Sequence, residues 1–294
     1  MAASFIHKFI FDQLPIKGSL VVLQDCWDTI TQLQAYPASL QQLLGELVAA
    51  NVLLTANLKL NGKVICQVQN NPAFNLAVSE CSNNLNIRAT AKFDPAKLAD
   101  VDYTTLVKHG RLVVSIDSQN EGNLYQSIIA FSGENLAEIL NAYMAQSEQL
   151  RTWFLLAYTD HKIVGFMLQQ LPDTTSQFAN DIERVFMLAE TLTKSELLHD
   201  ELTALLNKLF HEDNLRVFEP QMIQFKCSCS RERVSEILRS LGEEEIDSLI
   251  AEQGNIVVDC DYCNAKYHYT GDELRQLSLL ASLESKEVIS HEIN

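Results

Sequence analysis

The sequence predicts an α+β protein in three parts: an N-terminal antiparallel-sheet core with covering helices, a helical linker, and a small C-terminal domain bearing a cysteine cluster. Three observations predict it. Residues 1–172 read as short strand-like runs broken by only two helical patterns, and such a succession makes an α+β layer arrangement. Charge is uneven: residues 1–172 hold 14 acids and 11 bases, whereas residues 173–294 hold 24 acids and 11 bases, so most of the net charge of -16 lies in the later part. Four of the seven cysteines fall between Cys227 and Cys263, inside that acidic part.

The composition, 47% hydrophobic and 20% charged over 294 residues, is that of a globular chain with enough length to bury a core. An acidic surface repels phosphate backbones, which disfavours nucleic acid as the main partner. No stretch reaches the ~18 apolar residues that a spanning helix needs; the run from Leu47 to Leu58 is 12 residues and is broken by Asn51, Thr55 and Asn57. The opening MAASFIHKFIFDQLP is too short and too quickly acidic for a secretory signal. A cytoplasmic protein with no membrane partner is expected.

Taken in order, the first element is a helix capped by Ser39, with Leu40, Leu43, Leu44, Leu47, Val48 and Val52 at helical spacing. LKLNGKVICQVQ then places Asn61-Gly62 between two alternating segments, which predicts a hairpin with a type I′ turn. Further strands are expected at 74–79, 85–93, 111–117 and 124–131, then a helix with Leu136, Leu140, Tyr143 and Met144 on one face. Apolar runs at 153–158 and 163–171 close the core at Pro172. From residue 173 the texture becomes helical: Phe178, Ile182, Val185, Phe186 and Leu188, then Leu202, Leu205, Leu206 and Leu209, stand near helical spacing with acidic outer faces. Helices this short are marginal alone and must dock. The last part begins near Val217. Val234, Ile237, Leu238 and Leu241 form a helix after Ser230 that stops at Gly242. A second helix opens at Glu243-Glu244-Glu245 and stops at Gly254. Strands follow at 255–259 and 266–269, and Thr270-Gly-Asp-Glu273 is a capping box before Leu274, Leu277 and Leu280.

The chemistry lies in Cys227-Ser-Cys229 and Cys260-Asp-Tyr-Cys263, separated by thirty residues. A CxxC turn aims two sulfurs at one tetrahedral ion, and CxC makes a more compact chelate. Four thiolates select zinc, or less often an iron–sulfur cluster, over hard cations, and disulfides are the remaining reading. A zinc ion here admits three roles. It is a structural clip for a domain with a thin core; or the pair Cys260/Cys263 is a thiol–disulfide oxidoreductase motif, although the expected βαβ context is missing and Asp259 and Asp261 oppose thiolate formation; or the site is a switch, in which oxidation of the thiols ejects the metal and the domain unfolds. Four protein ligands leave no open position for metal-centred hydrolysis.

The other candidates are weaker. Cys26, Cys66 and Cys81 read as buried free thiols. His268 reads as a strand-face histidine, and His199, His211 and His291 as scattered surface groups. Arg231 and Arg233 form a two-charge cluster far short of a nucleic-acid footprint. With no GxGxxG, no Walker loop and no Ser/His/Asp arrangement, the chain reads as a non-enzyme that does not use ATP.

At FKCSCSRERVSEILRSLGEEEIDSLIAEQGNIVVDCDYC (225–263) the chain resembles the redox-regulated heat-shock holdases, the 33-kDa heat-shock-protein family of bacteria. The likeness extends to LLTANLKLNGKV (53–64), NLAV (75–78), AYMAQSEQL (142–150), VGFMLQQLP (164–172) and LFHEDNLRVFEPQ (209–221). One departure is QNNPAFNLAV (69–78), where relatives often carry a Gly-rich turn. The resemblance implies an α+β core over residues 1–172 that binds clients and dimerises, a metastable helical linker over 173–216, and a zinc-binding redox-switch domain over 217–294. It implies that Cys227, Cys229, Cys260 and Cys263 hold one Zn2+ in the reduced, inactive state. It further implies that oxidation forms the disulfides Cys227–Cys229 and Cys260–Cys263 and releases zinc. The linker and zinc domain then lose structure, and the protein, a homodimer when oxidised, holds unfolding client proteins without ATP. A constitutive zinc-stabilised binding protein is the alternative.

Overall fold

The computed structural model describes residues 3–59, 61–118, 124–131, 133–148, 150–172, 176–277 and 279. The chain divides into two compact units, one up to Lys226 and one from Cys227 onward. The first unit holds β1 (Phe5–Phe11), β2 (Ile16–Leu23), α1 (Asp25–Leu33), α2 (Ala38–Asn57), β3 (Gly62–Gln69), β4 (Phe74–Ser82) and β5 (Asn86–Phe93). Two short helices, α3 (Pro95–Leu98) and α4 (Tyr103–Leu106), lead to β6 (Arg111–Ser118), β7 (Leu124–Ala130) and α5 (Leu136–Tyr143). Then come β8 (Thr152–Thr159), β9 (Lys162–Gln170), α6 (Ala179–Glu190), α7 (Lys194–His199), α8 (Leu202–Phe210) and the short strands β10 (Leu215–Val217), β11 (Gln221–Met222) and β12 (Gln224–Phe225).

Two sheets carry this unit. The first runs β10-β1-β2-β9-β8, with β11 also on β1, and every pairing in it is antiparallel. The second runs β12-β5-β4-β3-β6-β7, antiparallel except for the edge pair β12–β5. The α+β class and its antiparallel sheets are as the sequence predicts.

Helix α2 lies against strands of both sheets, which explains a pattern the sequence only half reveals. Its leucines mark one face, yet Ala49, Ala50, Asn51 and Glu46 are buried too, because the opposite face also meets a sheet. Polar groups there need internal partners. Asn51 donates to the carbonyls of Val64 (3.2 Å) and Ser79 (2.8 Å). Glu46 accepts from Gln42 Nε2 (3.0 Å) and from the Tyr103 hydroxyl, which itself accepts from the Leu136 amide (3.1 Å).

Helices α6, α7 and α8 cover the other face of the first sheet. Ile182, Val185, Phe186, Leu205, Leu206 and Phe210 pack with Phe9, Phe11, Leu20, Phe166 and Leu168 in a second core. Strands β2 and β9, sandwiched between this layer and α2, are buried along nearly their whole length, which is why residues 163–168 read as an unbroken apolar run. Three polar ties reinforce the layer. Arg184 grips Asp213 through two hydrogen bonds (2.6 and 3.1 Å), Arg151 pairs with Glu183 (2.5 Å), and Lys162 donates to the Leu198 carbonyl (2.7 Å).

Local expectations differ at two places, and β1, β2 and α1 stand ahead of the helix with which the sequence reading begins. Asn61-Gly62 is not a hairpin turn: α2 continues to Asn57, and Gly62 opens β3 opposite Ser118. A Cβ at Gly62 would stand 1.9 Å from the Asp117 carbonyl, so the glycine serves close strand approach. Ser39 does not cap α2, whose N-cap is Pro37. The turn at QNNPA (69–73) is built on asparagines. Asn70 takes φ +57°, a conformation asparagine tolerates, and Asn71 Nδ2 donates to Leu106 O (2.8 Å) and His109 O (2.7 Å).

Two outcomes follow. Phe186→Ala removes a fully buried ring from the second core and is expected to destabilise by about 3–5 kcal/mol, with hydrogen exchange rising over 179–210 before it rises in α2. Burial pushes the Glu46 carboxyl above its ordinary 4.5, opposed by hydrogen bonds from Tyr103 and Gln42 and by the charge of Lys194. The unfolded chain therefore loses this proton first, and stability falls as pH rises from about 4.5 through the folded value. Glu46→Gln is expected to remove that fall, giving a variant more stable than the parent in urea unfolding at neutral pH but not in acid.

Candidate metal centre

The second unit is small. Its helices are α9 (Arg231–Arg239) and α10 (Glu243–Gln253), and its hairpin is β13 (Ile256–Asp259) with β14 (Lys266–Tyr269). Ser230 caps α9 by accepting from the Arg233 amide (3.3 Å), and Gly242 and Gly254 bound α10 at φ +89° and +69°. Thr270 and Glu273 form the expected capping box and open the helical residues 271–277; Leu280 lies outside the described residues. The buried core consists of Val234, Leu238, Ile246, Ile256, Tyr269 and Leu274. That is thin.

Beside this core the four cysteines meet. Cys227 and Cys229 lie just ahead of α9, and Cys260 and Cys263 sit on the turn joining β13 to β14. The turn is closed by Cys260 N–H to Ala265 O and Asn264 N–H to Cys260 O, both 2.9 Å, with Asn264 at φ +58°. The four sulfurs lie within 4.8 Å of one another; Cys227 and Cys260 are 3.6 Å apart and Cys229 and Cys263 3.3 Å. Four sulfurs bound at ~2.3 Å around a tetrahedral ion stand about 3.8 Å apart. The spacing and the all-thiol donor set therefore fit one metal ion, and among the described residues no other cluster does so.

The cluster is electrostatically uneven. Partial burial resists ionisation of Cys229, but hydrogen bonds from the Tyr267 hydroxyl and the sulfurs of Cys263, Cys227 and Cys260 bring its thiol down to about 7. Burial holds the Cys260 and Cys263 thiols above their ordinary value. Cys229 thus loses its proton more readily than Cys260 or Cys263.

Arginines fix the frame. Arg233 donates to the Ser228 carbonyl (2.8 Å) and hydroxyl (2.7 Å), clamping the CxC segment. Arg231 stacks over Tyr269 at 4.4 Å, donates to His268 O (2.8 Å) and pairs with Glu273 (2.7 Å), tying α9 to the hairpin. The sequence marks these arginines only as a charge pair and does not single out Tyr267; alternation along the strand after the CxxC turn, which sets Tyr267 and His268 on different faces, is the signal that could have found it. His268 is exposed and outside the cluster, and His199 and His211 are exposed. His291 lies outside the described residues. Cys26, Cys66 and Cys81 are buried, as expected, and burial pushes Cys26 to about 11 and Cys81 to about 12 and raises Cys66 as well, so none is a ready nucleophile.

Fold and site define a class: an α+β protein whose C-terminal unit presents four cysteines fit for a metal ion. A family model described as Hsp33 protein matches residues 4–270, and the chain belongs to that family. Relatives named 33 kDa chaperonin include those of Methylobacillus flagellatus, 40% identical over 92% of this chain and 93% of that one, and Chromobacterium violaceum, 39% identical over 92% of each. The solved structure of the 33 kDa chaperonin (heat shock protein 33 homolog) from Thermotoga maritima shares the fold, with a TM-score of 0.77 at 22% identity, over 96% of this chain and 99% of that one. Among the described residues no helix is long and apolar enough to cross a membrane.

If Tyr267 steadies the Cys229 thiolate, Tyr267→Phe makes protons compete better with metal. The expected result is about 10–100-fold weaker metal retention and release at higher pH than in the parent, followed with a chromogenic chelator during acidification.

Proposed function

We propose that the protein is a redox-regulated, ATP-independent holdase of the cytoplasm, a non-enzymatic chaperone whose partners are unfolding proteins and not nucleic acid or membrane. The observation that carries the proposal is the gathering of four thiols into one cluster in a unit with so thin an apolar core. Cys227, Cys229, Cys260 and Cys263 would hold one Zn2+ in the reduced state. When bound, the ion would cross-link the segment before α9 to the β13–β14 turn and supply folding energy that the core lacks.

Oxidation of the cysteines would then dismantle the site. Each pair of thiolates would give up two electrons to an oxidant such as hydrogen peroxide, whose O–O bond breaks and which takes two protons from solvent to leave as two waters; the new S–S bond removes both thiolate donors from the metal. The proposed pairs are Cys227–Cys229 and Cys260–Cys263. In a near-tetrahedral cluster every edge is short, so proximity does not choose the pairing and the resemblance supplies it. Residues 217–294 act in this reading as the switch and residues 173–216 as a metastable linker. Helices α6, α7 and α8 have 12, 6 and 9 residues, too short to persist undocked. Their release would bare Phe9, Phe11, Leu20, Phe166 and Leu168 on the first sheet, an apolar face within residues 1–172 suited to unfolding clients. The oxidised protein would act as a homodimer through the same core.

The test follows metal release with a chromogenic chelator and client aggregation by light scattering in one sample, before and after mild peroxide. The expected outcome is one metal released per chain together with suppressed aggregation, with peptide mapping giving the two within-motif disulfides. Metal release without gain in client protection would leave a constitutive zinc-stabilised binding protein instead.

A further inference from the structure

The first unit holds a cavity of about 250 Å3 at the C-terminal end of α2. Its walls are apolar, formed chiefly by Leu54, Val64, Val114, Ile116, Met144 and Met167, while Lys17 and Asn57 stand among the few polar groups on its lining. Concave apolar walls with a small number of placed polar groups are the usual make-up of a small-molecule site.

The charge beside it is unbalanced. Lys17 donates to the Asn57 carbonyl (3.4 Å) and Lys8 to the Ala56 carbonyl (2.5 Å), so two ammonium groups converge on one helix end. That end supplies roughly half a negative charge, against two full positive ones. Among the described residues neither lysine pairs with a carboxylate. Burial, and for Lys17 also the charge of Lys8, depresses both ammonium groups, so an arriving anion would relieve a real repulsion.

We propose that this cavity binds a small aliphatic monocarboxylate of the medium-chain fatty-acid class, its chain against Leu54, Val114, Met144 and Met167 and its carboxylate against the Lys17 ammonium. A neutral alcohol of equal length would gain the apolar contacts without the charge, and a cationic amphiphile would be repelled. The site lies wholly within the first unit and does not involve the cysteines.

The methionines make it testable. The chain has five; Met144 and Met167 line the cavity, whereas Met187 and Met222 are exposed elsewhere. Reduced, full-length protein carrying 13C-methyl methionine is titrated with decanoate below its micelle concentration. Saturable shifts at Met144 and Met167, with Met187 and Met222 unmoved, are expected. Lys17→Gln, checked for an unchanged thermal transition, should weaken decanoate about tenfold or more and leave 1-decanol unaffected. Absence of a saturable shift, or equal shifts at Met187 and Met222, would overturn the site. Equal affinity for decanoate in the parent and in Lys17→Gln would overturn the role given to the charge, and with it the ligand class.

Discussion

The first sheet has two apolar faces, and the rest of the first unit is arranged around covering both. Strands β2 and β9 are buried along nearly their full length, so neither face tolerates water. One cover is α2, a 20-residue helix held between two sheets and therefore fixed by the central architecture. The other is the layer α6–α8, made of short helices that face the sheet on one side only and owe their order to docking. The two covers are thus unequal. A long helix embedded on all sides gives way only when the whole unit unfolds, whereas an outer layer can open at lower free energy because it takes no other packing with it.

The second unit faces the opposite shortage. Six buried residues cannot secure two helices and a hairpin by apolar burial in the manner of the first unit. Order there leans on polar devices: the Arg231 stack on Tyr269, the Arg233 clamp on Ser228, the two capping interactions, and above all the convergence of four sulfurs. Four sulfurs within 4.8 Å cannot all ionise without a cation to share, since thiolates so close repel one another. The cluster makes sense as a site whose stability is conditional.

How far this was legible in the sequence varies with the kind of signal. The cysteine spacing carries its geometry openly, because CxC and CxxC restrict where sulfurs can point, and all four meet. Strand alternation in residues 62–69 reads correctly, since that strand buries one face and half-exposes the other, whereas 111–117 is a strand-like run whose buried residues Leu112, Val113, Val114 and Ser115 lie on both faces. Residues 47–58 mislead in two ways. A helix buried on both sides hides its period, and the polar Asn61-Gly62 after it imitates a hairpin turn that only strands on both sides would make. The functions of Arg231, Arg233 and Tyr267 depend on partners 5 to 42 positions away in the chain, and no local pattern announces them.

Between the outer helices and the cysteines the chain is held by short ladders and one buried anchor. β10 pairs over three residues, and β11 and β12 over two each, with β11 on β1 and β12 on the edge of the second sheet. Side-chain anchoring adds to them: Ile223 is buried in the main core with Phe225 packed against it, Arg216 pairs with Asp12 (2.9 Å), and the Cys26 thiol donates weakly to the Ile223 carbonyl at 3.5 Å. Ladders this short contribute order only while the chain on each side is itself ordered. Cys227 follows β12 by a single intervening residue. On the proposed reading, disorder that starts at the thiols first meets these short ladders and the Ile223 anchor, and beyond them the last turn of α8. No long-range conduit between the units is required; chain continuity suffices. The acidic surplus of residues 173–294 then has a physical use, because a released segment of that charge repels its own kind and stays in solution while its leucines and phenylalanines are exposed.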